Sequence, residues 1–98
     1  MADVFISGAA RSDLESIDDY GIDRFGEEAA DAFNAGFERA FKHIAEFPRS
    51  APERPEYGED IRCWMHLGYR VLYQLEGETI VIVRVLHHSR DVGKALEE

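Results

Sequence analysis

Apolar and polar positions keep two different periods along this chain. From Thr79 to Leu86 almost every residue is apolar, with Val81, Val83 and Val85 on one face, Ile80, Ile82 and Leu86 on the other, and only Arg84 interrupting. A run that is apolar on both faces predicts a strand in the middle of a sheet, covered above and below. The runs IRCWMHL from Ile61 and YRVLYQLE from Tyr69 predict two more strands, joined by tight turns at Leu67-Gly68 and at Glu76-Gly77-Glu78. Near the start, Asp3 to Ser7 reads as a further short strand, with Val4 and Ile6 on one face and Phe5 on the other.

Between these strands the period becomes helical. Ser12-Asp13-Leu14-Glu15 matches a capping box, the serine hydroxyl accepting from the third amide and the glutamate reaching back. The helix it opens is expected to bury Leu14, Ile17 and Tyr20 and to expose Asp13, Glu15, Asp18 and Asp19. A break is expected at Phe25-Gly26. From Glu27 a second helix carries the stripe Ala30, Phe33, Phe37, Ala40 or Phe41, and Ile44, with Glu27, Glu28 and Asp31 in its first turn, and Phe47-Pro48 stops it. Arg49 to Asp60 is a loop, and the tail from Val92 forms a last helical turn or frays. The order β-α-α-β-β-β predicts an α+β fold: an antiparallel sheet with a helical hairpin packed on one face. The opposite face is also apolar but has no second layer in the chain, so a cover from outside is expected.

Composition narrows the function. The 98 residues, 45% hydrophobic, form a single domain over 1–98. No apolar run approaches the roughly 18 residues of a membrane span, and no secretory signal is expected at the N-terminus. Cys63 is alone, which excludes an internal disulfide and fits a reducing cytoplasm. The net charge of -9 lies entirely in residues 1–60, which hold fifteen acidic residues against six basic ones; residues 61–98 balance. Sequence-specific nucleic-acid binding is not expected of so acidic a chain, whereas a basic protein partner is.

Residues with chemical capacity gather on the strands and just past them: Arg62, Arg70, Arg84, His87, His88 and Arg90. A nuclease site needs cations around a phosphate and a general acid or base beside it, and Arg62, Arg84 and His88 are the set that fits. Arg84 is equally well read as a sheet arginine paired to an acid of the hairpin or to Asp91, and Arg62 and Arg70 as solvent-facing strand residues. His87 and His88, adjacent in a strand, are expected on opposite sides. No ligand spacing for a metal is seen, and no cofactor is expected. Trp64 and Tyr57 are candidate binding anchors, with core packing the commoner fate of Trp64.

Several segments together resemble the RelE/ParE superfamily of toxins from type II toxin–antitoxin systems, its ParE branch above all. They are Ala-Arg-Ser-Asp-Leu at 10–14, Phe47-Pro48, Ile61-Arg62, Tyr69-Arg70-Val71-Leu72-Tyr73, and Ile82 to Asp91 (IVRVLHHSRD), in an order that spans roughly residues 3 to 91. The resemblance implies a non-enzymatic bacterial toxin that blocks DNA gyrase and is neutralised by an antitoxin wrapped onto it. Target contact is then expected at Arg62, Arg70, Arg84, His87, His88 and Arg90. Antitoxin contact is expected at Trp64, Tyr69 and Tyr73, on exposed hairpin faces and at the sheet edge. The sister branch, ribosome-dependent mRNA endonucleases, and a non-toxic antitoxin-binding module are the alternatives.

Overall fold

The computed structural model describes residues 2–98. The order is β1 (Asp3–Ile6), α1 (Gly8–Phe25), α2 (Glu27–Glu46), a 3-10 turn at Pro55–Tyr57, β2 (Ile61–His66), β3 (Tyr69–Glu76), β4 (Thr79–His87) and α3 (Val92–Leu96). The strands form one sheet in the order β1-β4-β3-β2, so β4 is flanked on both sides, as its two apolar faces require.

The sheet is mixed rather than antiparallel throughout. β1 runs parallel to β4, pairing Asp3 with Thr79 and Ile6 with Ile82, while β2–β3 and β3–β4 are antiparallel. The helices decide this. At the end of α2 the Ala45 carbonyl accepts from the Ala2 amide at 3.1 Å, returning the chain to the end of the sheet where β1 begins. β2, and two strands later β4, therefore run in the direction of β1. A period of two in the sequence carries no strand direction.

Apolar side chains pack on both faces of the sheet. Under the hairpin, Phe37, Phe41 and Ile44 of α2 and Ala10 of α1 meet Val71, Tyr73, Ile80, Ile82 and Val85. On the other face Ile61, Cys63, Leu72 and Leu86 are covered by Val92 and Ala95 of α3, with Tyr57 alongside. The second layer expected from outside is thus supplied in part by the chain's own C-terminus, a helix of five residues that periodicity could not resolve.

Two features of β4 depart from simple alternation. Tyr73 pairs with Ile82 but Leu72 with Arg84, so Val83 is an extra residue, a β-bulge. The bulge resets the phase: Ile80, Ile82 and Val85 face the hairpin, whereas Val83 and Leu86 pack on the other side. The start of α1 holds this irregular point. The helix is capped at Ser7, more than one turn before the expected Ser12; the Ser7 hydroxyl accepts from the Ala10 amide at 3.1 Å and donates to the Val83 carbonyl at 2.9 Å. Asp13 accordingly lies inside the helix and faces the sheet instead of solvent, its side chain only 11% exposed. Its Oδ2 accepts from Arg84 Nε at 2.7 Å and from the Val85 amide at 2.9 Å, and its Oδ1 from Arg84 Nη2 at 2.8 Å. β1 stops at Ile6, so the outward Val85 amide has no strand partner and Asp13 takes its place.

The β2–β3 turn carries local strain. Leu67 has φ 45° and Gly68 φ 85°, the pattern of a two-residue turn with both central residues left-handed. Glycine adopts this freely, and leucine does so at a cost of about 1–2 kcal/mol.

Two stability measurements check these points. Asp13→Ala leaves the Arg84 guanidinium buried without its partner and is expected to lower unfolding free energy by about 3–5 kcal/mol. The double variant Asp13→Ala/Arg84→Met should regain most of this loss, keeping a deficit of about 1–3 kcal/mol for the orphaned Val85 amide. A urea midpoint for Asp13→Ala equal to the parent's contradicts the assignment. Leu67→Asn, which tolerates the left-handed conformation, should raise stability by about 1 kcal/mol.

Candidate functional site

The six cationic and imidazole residues singled out by sequence do not form one cluster. Arg84 is an internal residue. Beside its pairing with Asp13 it donates to the Ala95 carbonyl at 2.6 Å, tying α3 to the sheet, and the Asp13 hydrogen bond raises its pKa above the ordinary arginine value. It offers no free cation to a target or a phosphate, which corrects its place among the contact and catalytic candidates. Arg62 is committed as well. It donates to the Ala51 carbonyl at 2.6 Å and to Glu53 at 3.1 Å, strapping that segment onto β2 beside the Arg54–Ile61 and Cys63–Pro52 backbone bonds. It pairs across the sheet with Tyr73, three residues along β3 from Arg70, a separation of about 10 Å.

The remaining four do converge, at the end of the sheet where β4 gives out. Arg70 Nη1 donates to the His88 carbonyl at 2.5 Å. His87 Nδ1 lies 2.7 Å from the Ser89 hydroxyl, and its ring meets Tyr69 edge-on at 5.3 Å. β4 ends at His87, and the turn that follows brings the His88 ring to 4.3 Å from that of His87, where strict alternation put the two on opposite sides. Arg90 is half-exposed and pairs with Glu98 at 2.9 Å. Of the nuclease set, Arg62 and Arg84 are spent on internal partners and His88 stands at the sheet end without them.

The aromatic candidates divide similarly. Tyr73 is fully buried under the hairpin and donates its hydroxyl to the Pro48 carbonyl at 2.8 Å; burial raises its phenol pKa. It is a core residue, not a partner anchor. Trp64 lies half-buried on β2, its ring 4.5 Å from that of His43 on α2. Tyr69 is wedged edge-on against Phe33 at 5.9 Å and Phe37 at 5.6 Å, with burial raising its pKa. Tyr57 packs on the α3 side, the Arg54 guanidinium 5.0 Å over its ring.

Beyond these, the fold presents a surface that periodicity did not single out. Phe25 at the hairpin bend is 72% exposed, Leu67 in the strained turn 69%, and Tyr20 55%. They line one groove of about 390 Å³ with Ile17, Phe33, Tyr69 and His87. The available signal was the presence of large apolar residues, Phe25 and Leu67, at positions that a helix bend and a tight turn normally give to polar or small ones.

His66 is a second such residue. Its ring lies 5.0 Å from that of Phe37, its Nε2 is buried without a partner, and it sits over Gly36, where a Cβ would come within 2.8 Å of that nitrogen. Burial first, and Arg39 second, hold its pKa below the ordinary histidine value. The unfolded chain then binds a proton at a higher pH than the folded one. The neutral ring's contribution is complete above about pH 6.5 and is lost as pH falls from there toward the depressed folded value. His66→Phe is expected to flatten stability between neutral and mildly acidic pH; urea unfolding at the two ends of that range checks it, and an unchanged slope counts against the assignment.

The family model and the curated relatives agree on one family. A family model described as ParE toxin of type II toxin–antitoxin system, parDE, matches residues 4–92. Toxin ParE1 of Mycobacterium tuberculosis is 33% identical over 92 residues, covering 93% of this chain and 94% of the relative. Toxin ParE3 of Caulobacter vibrioides is 30% identical over 71 residues, or 72% and 71% of the two chains. Among solved structures, a chain of the chromosomal ParDE system from P. aeruginosa superposes with a TM-score of 0.76 at 19% identity, over 89% of this chain and 96% of that one. A chain of the toxin–antitoxin complex RelBE2 from Mycobacterium tuberculosis gives 0.62 at 26%, over 88% and 96%.

Proposed function

The chain belongs to the ParE toxin family of type II toxin–antitoxin systems, and we propose that it arrests growth by inhibiting DNA gyrase unless a cognate antitoxin holds it. The observation that carries this reading is the match of the family to residues 4–92, with relatives of nearly the same length. The geometry supports action by binding rather than catalysis. Arg84 and Arg62, which a phosphate-cleaving site would need free, are held by Asp13 and by Glu53 with the Ala51 carbonyl. Target contact falls instead to the group at the sheet end, Arg70, His87, His88 and Arg90. Trp64 and Tyr69 are the aromatic residues left for the antitoxin, Trp64 on the edge strand β2 just past the stretch Ile61–Cys63 that the Pro52–Arg54 segment already pairs with, which leaves only the end of that edge for strand addition. Among the described residues no helix is long and apolar enough to cross a membrane, and action on gyrase places the protein in the bacterial cytoplasm.

Induced expression without the product of the adjacent reading frame tests the proposal, with plasmid supercoiling and mRNA integrity followed in one culture. Growth arrest with relaxed plasmid or DNA breaks and intact mRNA is the expected result; co-expression of the adjacent product should abolish it. Cleaved mRNA would assign the chain to the nuclease branch, and undisturbed growth with soluble protein would leave a binding module. In purified form, Arg70→Ala/His88→Ala should weaken inhibition of gyrase supercoiling about tenfold, as loss of interface anchors does.

A further inference from the structure

The two edges of the sheet are finished differently. Along β2 the chain protects itself: Glu53 bridges Arg62, the Arg54 amide donates to the Ile61 carbonyl and the Cys63 amide to the Pro52 carbonyl. Among the described residues no such segment is paired with β1, the strand at the opposite edge. The Asp3 amide donates to the Glu78 carbonyl at 3.2 Å and the Ser7 amide to the Ile82 carbonyl at 3.0 Å. The odd-numbered residues of β1 thus turn their backbone groups toward β4, and those of Val4 and Ile6 point away from the sheet. Edge strands are normally blunted by lysine, proline, a bulge or an inward charge. Val4, Phe5 and Ile6 carry none of these, and Val4 is 38% and Phe5 59% exposed. Ile6 packs under the hairpin, so Phe5 lies on the other face, beside Val81 in register. On that face α3 covers only Ile61, Cys63, Leu72 and Leu86, with Val83 at its margin.

We propose that β1 is a self-association edge, to which a second copy of this chain adds its own β1, antiparallel, about a twofold axis at Phe5. The edge is complementary to itself, as a twofold contact requires. With Phe5 opposite Phe5 of the second copy, Val4 falls opposite Ile6 and Asp3 opposite Ser7. Val4 and Ile6 are the residues whose backbone groups face outward, so each Val4–Ile6 pair exchanges two hydrogen bonds. Phe5 takes the intervening non-hydrogen-bonded position, where Cα atoms approach to about 4.5 Å and cross-strand aromatic pairs interact most closely. No like charges meet, since Asp3 faces a serine. Neighbouring registers fail. A shift of two residues puts Ile6 opposite Ala2, whose amide is held by the Ala45 carbonyl, or Val4 opposite Gly8, which is already in α1. The product is one continuous sheet through both copies, with the two Phe5 rings at the seam on the face that α3 leaves open. This self-pairing does not depend on the toxin reading.

Such an interface is small, and association is expected at protein concentrations on the order of 10 µM. Sedimentation velocity of the purified chain from about 5 to about 200 µM should show monomer giving way to dimer, in about 0.3 M salt to screen the repulsion between two acidic chains. Phe5→Lys sets two ammonium groups opposite each other at an exposed position. It should weaken the dimer at least about tenfold while thermal unfolding stays cooperative. Register is read separately, by crosslinking under mild oxidation. Phe5→Cys brings two thiols face to face at the twofold axis, whereas Glu78→Cys places them on exposed turns away from it; Cys63 is buried and does not compete. The Phe5→Cys chain should crosslink at least about tenfold faster than the Glu78→Cys chain. A monomer across the whole range, a dimer undiminished by Phe5→Lys, or equal crosslinking of the two cysteine variants each overturns the proposal. If Phe5→Lys fails to fold, the cysteine comparison decides alone.

Discussion

The fold turns on how one irregular step in its central strand is held. At Val83 the strand β4 takes on an extra residue, and beyond Ile82 it has no partner strand on the β1 side. Both defects are met from α1. Ser7 caps the helix and binds the bulge carbonyl, while Asp13, nearly two turns further on, receives the Val85 amide and the Arg84 guanidinium on a single carboxylate. A carboxylate accepting two or three bonds from charged and backbone donors recovers much of the cost of its desolvation, which neither residue alone could do. Arg84 passes the constraint on through its bond to the Ala95 carbonyl, so the hairpin, the sheet and the C-terminal helix are fixed relative to one another by one connected set of polar groups.

That set also determines which cations remain for function. A strand arginine in a small acidic chain reads as a functional residue by default, yet Arg84 is consumed inside and Arg62 by the loop it straps. What is left is a short basic and aromatic end of the sheet, where Arg70, His87, His88 and Arg90 surround the turn after β4. The acid is elsewhere, on the hairpin. Separating the two signs of charge on one small domain gives it surfaces that favour different partners, which suits a protein that must be recognised by both a target and a neutralising chain.

The sequence by itself determined the elements and their order. Strand alternation, the three-and-four spacing of Ala30, Phe33, Phe37 and Ile44, the stop at Phe47-Pro48 and the glycine turns are all local signals, and each element they mark is present within a residue or two. The family was also legible, since it is carried by the order of short segments rather than by a contact. Local pattern failed where a residue's partner is distant. Ser12-Asp13-Leu14-Glu15 satisfies the chemistry of a cap, but Ser7 is the cap because its hydroxyl has Val83 to bind, 76 residues away. Tyr73 reads as an anchor in sequence and is core in space, because a bulge on the neighbouring strand and the Pro48 carbonyl fix its position.

What only the tertiary structure decided is therefore of one kind: direction, phase and pairing. The parallel β1–β4 contact depends on where the hairpin returns the chain. The face on which Val85 lies depends on the bulge, and the availability of each arginine depends on the acid that folding brings to it. These properties arise between residues far apart in sequence, whereas helix and strand periods are set by backbone geometry over a few neighbours, which is why the chain alone fixes the second and not the first.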